Sequence, residues 1–167
     1  MSDKTRKPTL MPVECKALEE GKTMTQYYDD KSIDVLARTL WGEARNQGTH
    51  GMQAVANVVM NRAAHARKKG TFWWGNNIIQ VCQKPYQFSC WNRSDPNFSK
   101  LLEVDSTDLY FASAQRIARR ALIGALPDVT NGATHYHTKA ISPYWAKGQE
   151  SCAVIGAHIF YRMVEGA

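Results

Sequence analysis

The stretch "LARTLWGEARNQG" places a glutamate, Glu43, in a segment that otherwise reads as an apolar helix face. At about 100° per residue, Glu43 lies seven positions after Leu36 and hence about 20° from it around the helix. It also follows Leu40 by three, so it borders the buried stripe and not the solvent face. The helix is expected to stop at Gly48, and a helix C-terminus disfavours negative charge. Helix stability therefore gives no reason for this carboxylate. Two structural explanations stand: an arginine partner (Arg38, Arg45 or Arg62) or the capping of a neighbouring segment. The chemical alternative is a carboxylic acid kept partly protonated by apolar surroundings, because desolvation raises a glutamate pKa. Such an acid can protonate a leaving oxygen. Glycoside cleavage needs that proton as an oxocarbenium-like centre develops.

Other residues could serve the same chemistry. Trp41, Trp73, Trp74, Trp91 and Trp145 offer faces for sugar rings, although tryptophan is as readily core or interface. A two-carboxylate glycosidase needs a second acid about 5–9.5 Å from the first. Asp95, Asp105, Asp128 and Glu150 are the loop candidates; none lies within "QFSCW", "NGATHYH" or "SPYW", which favours a single acid. Gln87 can hydrogen-bond an acetamido group or a hydroxyl, Tyr86 beside it can do the same or pack, and Phe88 reads as core. His135 and His137 alternate on an expected strand and would point the same way. No third ligand falls at a suitable spacing, so neither a metal nor a cofactor is expected. His158, among apolar residues, reads as a satisfied core histidine. Gly42, Gly48 and Gly51 suit turning or close helix approach, without the lysine of a phosphate loop.

The elements that must position these residues are mainly helices. One is expected to open near Ser32 and to bury Ile33, Leu36, Ala37, Leu40, Trp41 and Ala44. A second is expected from about Gly51 to Lys68, with Val55, Ala56 and Val59 inward and "ARKK" at its C-terminus. "NIIQVCQ" is short enough for a helix or a strand. "KPYQFSCWNRSDPNF" reads as an ordered loop or short hairpin. A third helix is expected from Thr107 to Ile123, and the turn-rich remainder suggests a small β element. The pattern implies an α+β fold: one domain over residues 29–167, preceded by a polar arm or peripheral turn over residues 1–28.

Composition limits the setting. The chain has 167 residues, 44% hydrophobic and 22% charged, which suits one domain with its own core. No apolar run reaches the roughly 18 residues that span a bilayer, so membrane insertion is not expected. The first thirty residues contain no apolar core of a secretory signal. Synthesis in a cytoplasm without an export address is therefore the expectation. The net charge of +6 suits an anionic partner such as nucleic acid, a membrane surface or an acidic wall polymer. Basic residues are spread over several segments and form no stripe, which weighs against nucleic acid. Four cysteines form no C-x-x-C pair, and Cys82 and Cys90 are expected as buried thiols.

"LARTLWGEARNQGTHGMQAVANVVMNRA" strongly resembles the opening motif of the SleB-like cell-wall hydrolases, a family of spore-cortex-lytic enzymes and phage lysis proteins. The likeness continues through "QVCQKPYQFSCWN", "TNGATHYHTKAISPYWAKG" and "IGAHIFYR", covering residues 32–163 with four motifs in order. The resemblance implies a mainly helical, lysozyme-like domain acting on peptidoglycan glycan strands. Glu43 matches the family's catalytic glutamate, and the implied reaction is lytic transglycosylation between N-acetylmuramic acid and N-acetylglucosamine. Gln87, Tyr86, Asn131, His135, Tyr136, Trp145 and Trp41 are the expected substrate-binding residues, with Tyr136 nearest the reacting sugar. A phage-type endolysin is expected: a monomer made in the host cytoplasm that acts at the wall after release. The alternatives are hydrolysis of the same bond, an amidase or peptidase, and a non-enzymatic wall-binding module.

Overall fold

The computed structural model describes residue 16 and residues 19–162. Cys15 and most of the arm lie outside the described residues. Helix α1 spans Met24–Ala44. It opens at Thr23, whose hydroxyl accepts the Gln26 amide while the Gln26 side chain accepts the Thr23 amide. This reciprocal capping box satisfies two of the donors that a helix start leaves unpaired. The expected start at Ser32 is thus corrected. Ser32 is interior, and residues 24–28, assigned to the arm, are helical. The polar first two turns show no apolar period to betray them. A 3-10 turn, Arg45–Gln47, then leads into α2, Gly48–Lys69.

α2 is buried on two sides. Val55 and Val59 join Leu36, Leu40, Trp74 and Phe111 in the helical core. Ala54 and Val58 pack with Ala133, Ile155 and Phe160 beneath a sheet. That double burial is why "AVANVVM" is apolar except for Asn57, a buried amide that donates to the Pro127 carbonyl and accepts the Val129 N–H. The ambiguous "NIIQVCQ" is helix α3, Ile78–Gln83, capped by Asn77. The segment after it forms no hairpin; it holds a 3-10 turn, Ser89–Trp91, and then α4, Phe98–Glu103. α5 spans Leu109–Leu122 and is capped by Asp108. α1 packs against both α2 and α5. No helix among the described residues is long and apolar enough to cross a membrane.

Strands β1 (His135–Thr138), β2 (Ala153–Ile155) and β3 (His158–Tyr161) form an antiparallel sheet in the order β1-β3-β2. His135 pairs with Tyr161 and Tyr136 with Phe160. β1 is tied to α2 at its entry: Asn61 Nδ2 donates to the Ala133 carbonyl at 2.9 Å, and Arg62 Nε to that of Thr134 at 2.7 Å. These bonds set β1 beside the C-terminal end of α1. Cys82 and Cys90 are buried and unbridged, and Cys152 is also free.

Candidate active site

Glu43 is the penultimate residue of α1. None of the three arginines weighed as partners forms an ion pair with it among the described residues. Arg38 pairs with Asp34 at 3.1 Å and donates to the carbonyls of Leu101 and Val104. Arg45 lies 4.0 Å from the Trp41 ring centroid and donates to the Trp41 carbonyl. Arg62 donates to Thr134 and, from Nη1, to Oε1 of Gln87 at 3.3 Å. The capping explanation is realised in part. The Cys90 N–H, in a 3-10 turn with no side-chain cap of its own, donates to Oε1 of Glu43 at 3.3 Å. The Tyr136 hydroxyl donates to Oε2 at 3.2 Å.

Burial pushes the Glu43 carboxyl above the ordinary glutamate value. The Cys90 and Tyr136 hydrogen bonds oppose that rise, and the charge of Asp95 adds to it. Burial and the neighbouring Glu43 push the Tyr136 phenol well above its usual value, so it stays a donor. Desolvation therefore shifts the acid toward its protonated form, and two donors aim it.

Glu43 sits where two wings of a cleft meet. One wing contains Trp41, Arg45, Ser89, Cys90, Asp95 and Asn97. The other contains Arg62, Tyr86, Gln87, His135, Tyr136 and Trp145. Three local features shape this cleft. Gly42 lets α1 approach the Ser89–Trp91 turn, where an added Cβ would fall 2.6 Å from that of Cys90. Tyr86 is 87% exposed and adopts φ +65°, projecting its ring at the cleft mouth. Trp145, on a 3-10 turn Tyr144–Ala146, packs against His135, His137 and Tyr161 at centroid distances of 5.3, 5.7 and 5.3 Å.

Two expected binding residues are placed differently. Asn131 lines neither wing. It occupies a left-handed turn position, φ +58°, and its side chain donates to the Cys152 carbonyl. Asn-Gly favours such turns through αL tolerance, which is the role it fills. Trp41 borders the first wing but is buried, its N–H donates to Asp108, and Arg45 lies over its ring. It is a packed wall with no open face for a sugar. His158 is in the core against Tyr136, as expected, yet its Nδ1 has no partner, so it is not satisfied. His135 and His137 do point the same way. His137 contacts the Thr138 carbonyl and the Tyr161 hydroxyl. Burial and Arg62 push His135 down to about 4, so it is neutral. No cluster of three metal-ligating side chains occurs among the described residues. Phe88 is core.

A helical domain closed by a small antiparallel sheet, with a desolvated glutamate at a helix end in an open cleft, defines the lysozyme-like class. The Cell Wall Hydrolase family matches residues 46–161, and the chain belongs to that family. The match begins three residues after Glu43, so membership rests on α2, the cleft loops and the sheet. The catalytic domain of the germination-specific lytic transglycosylase SleB from Bacillus anthracis shares the fold, with a TM-score of 0.59. It is 23% identical, over 78% of this chain and 93% of that one. The catalytic domain of the Bacillus cereus SleB protein gives 0.61 at 23% identity, over 80% and 91%. A spore cortex-lytic enzyme of Halalkalibacterium halodurans is 28% identical over 146 residues, 86% of this chain. The chain spans only 38% of that relative's length.

Proposed function

We propose that this domain cleaves the bond between N-acetylmuramic acid and N-acetylglucosamine in peptidoglycan, as a lytic transglycosylase with Glu43 as its acid. Protonated Glu43 gives its proton to the bridging oxygen as the bond to the muramic acid C1 breaks. The resulting carboxylate then takes the proton of the sugar's own 6-hydroxyl while that oxygen closes on C1. The products are a free 4-hydroxyl on one fragment and a 1,6-anhydro end on the other, and no water is consumed. Tyr136 and the Cys90 amide hold the carboxyl still through both steps. The observation that carries the reading is this desolvated acid at the junction of two cleft wings.

Hydrolysis is the second reading, and Asp95 favours it, because it shares a wing with Glu43. Digestion of purified sacculi followed by mass spectrometry separates the two. Anhydro-muramyl ends are expected; reducing muramic acid ends would establish hydrolysis instead, and freed stem peptides would remove the glycosidase reading altogether. The proposal extends to a monomer that acts at the wall as a phage endolysin after synthesis in the host cytoplasm. The charge of +6 supports attraction to acidic wall polymers. Lysis of host cells only when a membrane-permeabilising protein is co-expressed tests that setting.

A further inference from the structure

Arg62 is 6% exposed, yet it has no carboxylate partner among the described residues. A buried cation without a counter-charge is unfavourable unless something compensates it. Its protein contacts are the Thr134 and Gln87 oxygens and the Trp74 and Phe88 rings, with centroids 5.2 and 5.7 Å from the guanidinium carbon. Guanidinium has five N–H donors. Nε and Nη1 are engaged, whereas Nη2 makes no hydrogen bond among the described residues. Arg62 lines the same cleft wing as Gln87, to which its guanidinium is bonded. Among the described residues, the only carboxyl lining this wing is Glu43, whose pKa burial raises. Asp95 belongs to the other wing, and His135 is uncharged. The tether to β1 uses the Nε–Thr134 bond. The uncompensated charge is left over.

We propose that Arg62 is a specificity-determining residue that receives a substrate carboxylate in the wing formed by Gln87, Tyr136 and Trp145. Resting on the glycan-cleaving reading above, the inference names the preferred substrate: a strand whose muramoyl units carry a free carboxylate. Two sources have this chemistry, the lactyl carboxylate of a peptide-free muramoyl unit and a carboxylate of the stem peptide. A planar donor with an unused N–H edge suits either.

The test compares full-length protein on four glycan preparations. These are peptide-free strands, the same strands with lactyl carboxylates coupled to methylamine, peptide-bearing strands, and those strands with stem carboxylates amidated. One neutralised preparation is expected to lose about tenfold in kcat/KM, the low end for a hydrogen bond to a charged group. The pair that shows the loss identifies the source. Equal rates within both pairs would overturn the inference while leaving glycan cleavage intact. Binding of the same preparations to Glu43→Gln protein, by calorimetry, reports the preference without turnover. Absence of cleavage by wild type, with the binding preference intact, would sink the functional reading and spare Arg62. Arg62→Gln is expected to abolish the preference, and persistence of the preference would overturn the assignment. Should that variant fail to fold, Arg62→Lys keeps a point charge but no planar fork. It is expected to retain less than about a third of the preference, and an undiminished preference would overturn the assignment.

Discussion

The hydroxyl of Tyr136 donates to Oε2 of Glu43 at 3.2 Å, joining β1 to the last turn of α1 across 93 residues. This bond favours the ionised acid, whereas burial favours the neutral one, and burial wins. The site is thus a balance in which the sheet moderates what the helical core imposes. Removing either side of it has a definite sign.

Tyr136→Phe removes the hydroxyl and keeps the ring, which packs near Phe160 at 5.5 Å and His158 at 4.9 Å. Glu43 loses an interaction that lowers its pKa, so the alkaline limb of the activity profile moves to higher pH. A loss of about tenfold in kcat is expected from one hydrogen bond to a charged group. A pH–rate profile superimposable on wild type would show that the hydroxyl does not tune the acid.

Glu43→Gln is expected to lower cleavage by at least about a hundredfold, the contribution of a positioned general acid. Its effect on stability runs the other way. Because the folded pKa is raised, the contribution of Glu43 to stability is fully present below the unfolded value and lost as pH rises through the folded one. At neutral pH the amide avoids that loss. The variant should therefore melt above wild type at pH 7, with the difference closing in acid. Calorimetric scans across pH give the comparison; a lower Tm for the variant at neutral pH contradicts the desolvation argument.

Gly42→Ala tests the close approach that delivers the Cys90 amide. The new methyl would lie 2.6 Å from Cys90 Cβ and 3.1 Å from Leu101 Cδ1, so the Ser89–Trp91 turn must shift. Overpacking of this kind costs about 1–3 kcal/mol. Urea unfolding measures that loss, and activity should fall more than stability explains, because the Cys90–Glu43 bond is disturbed. Wild-type values for both would mean the turn yields freely.

The burial of Glu43 is legible in sequence because it repeats the Leu36 position after seven residues. The same arithmetic applies to Arg62, seven residues after Val55, and marks it as a second charge on a buried stripe. As a partner for Glu43, Arg62 explained nothing; as a buried charge in its own right, it was readable. The start of α1 was not found from apolar spacing, since residues 24–31 are mostly polar, though "TMTQ" carries the capping-box signal. α4 was hidden between Pro96 and the "DSTD" turn, too short for periodicity to show. The meeting of Asp95 with Glu43 in one wing depends on tertiary packing and has no local signature. Asn131 lies outside both wings, bonded to the Cys152 carbonyl, and a turn residue beside a cleft strand cannot be told from a cleft residue by sequence alone.

Asp95→Asn decides how many carboxyls the chemistry uses. Asp95 accepts the Asn97 amide at 2.8 Å, and its charge raises the Glu43 pKa. If Glu43 works alone, the amide leaves the products unchanged and keeps peak activity within about threefold, since no proton transfer passes through position 95. Loss of the negative neighbour lowers the Glu43 pKa, so the alkaline limb moves to lower pH, opposite to Tyr136→Phe. If Asp95 instead activates water, the variant should lose about a hundredfold or more, as for removal of a general base. Product analysis by mass spectrometry beside the pH–rate profile separates these outcomes. A profile displaced downward with anhydro products retained is the expected result; collapse of activity would make Asp95 a partner in the reaction.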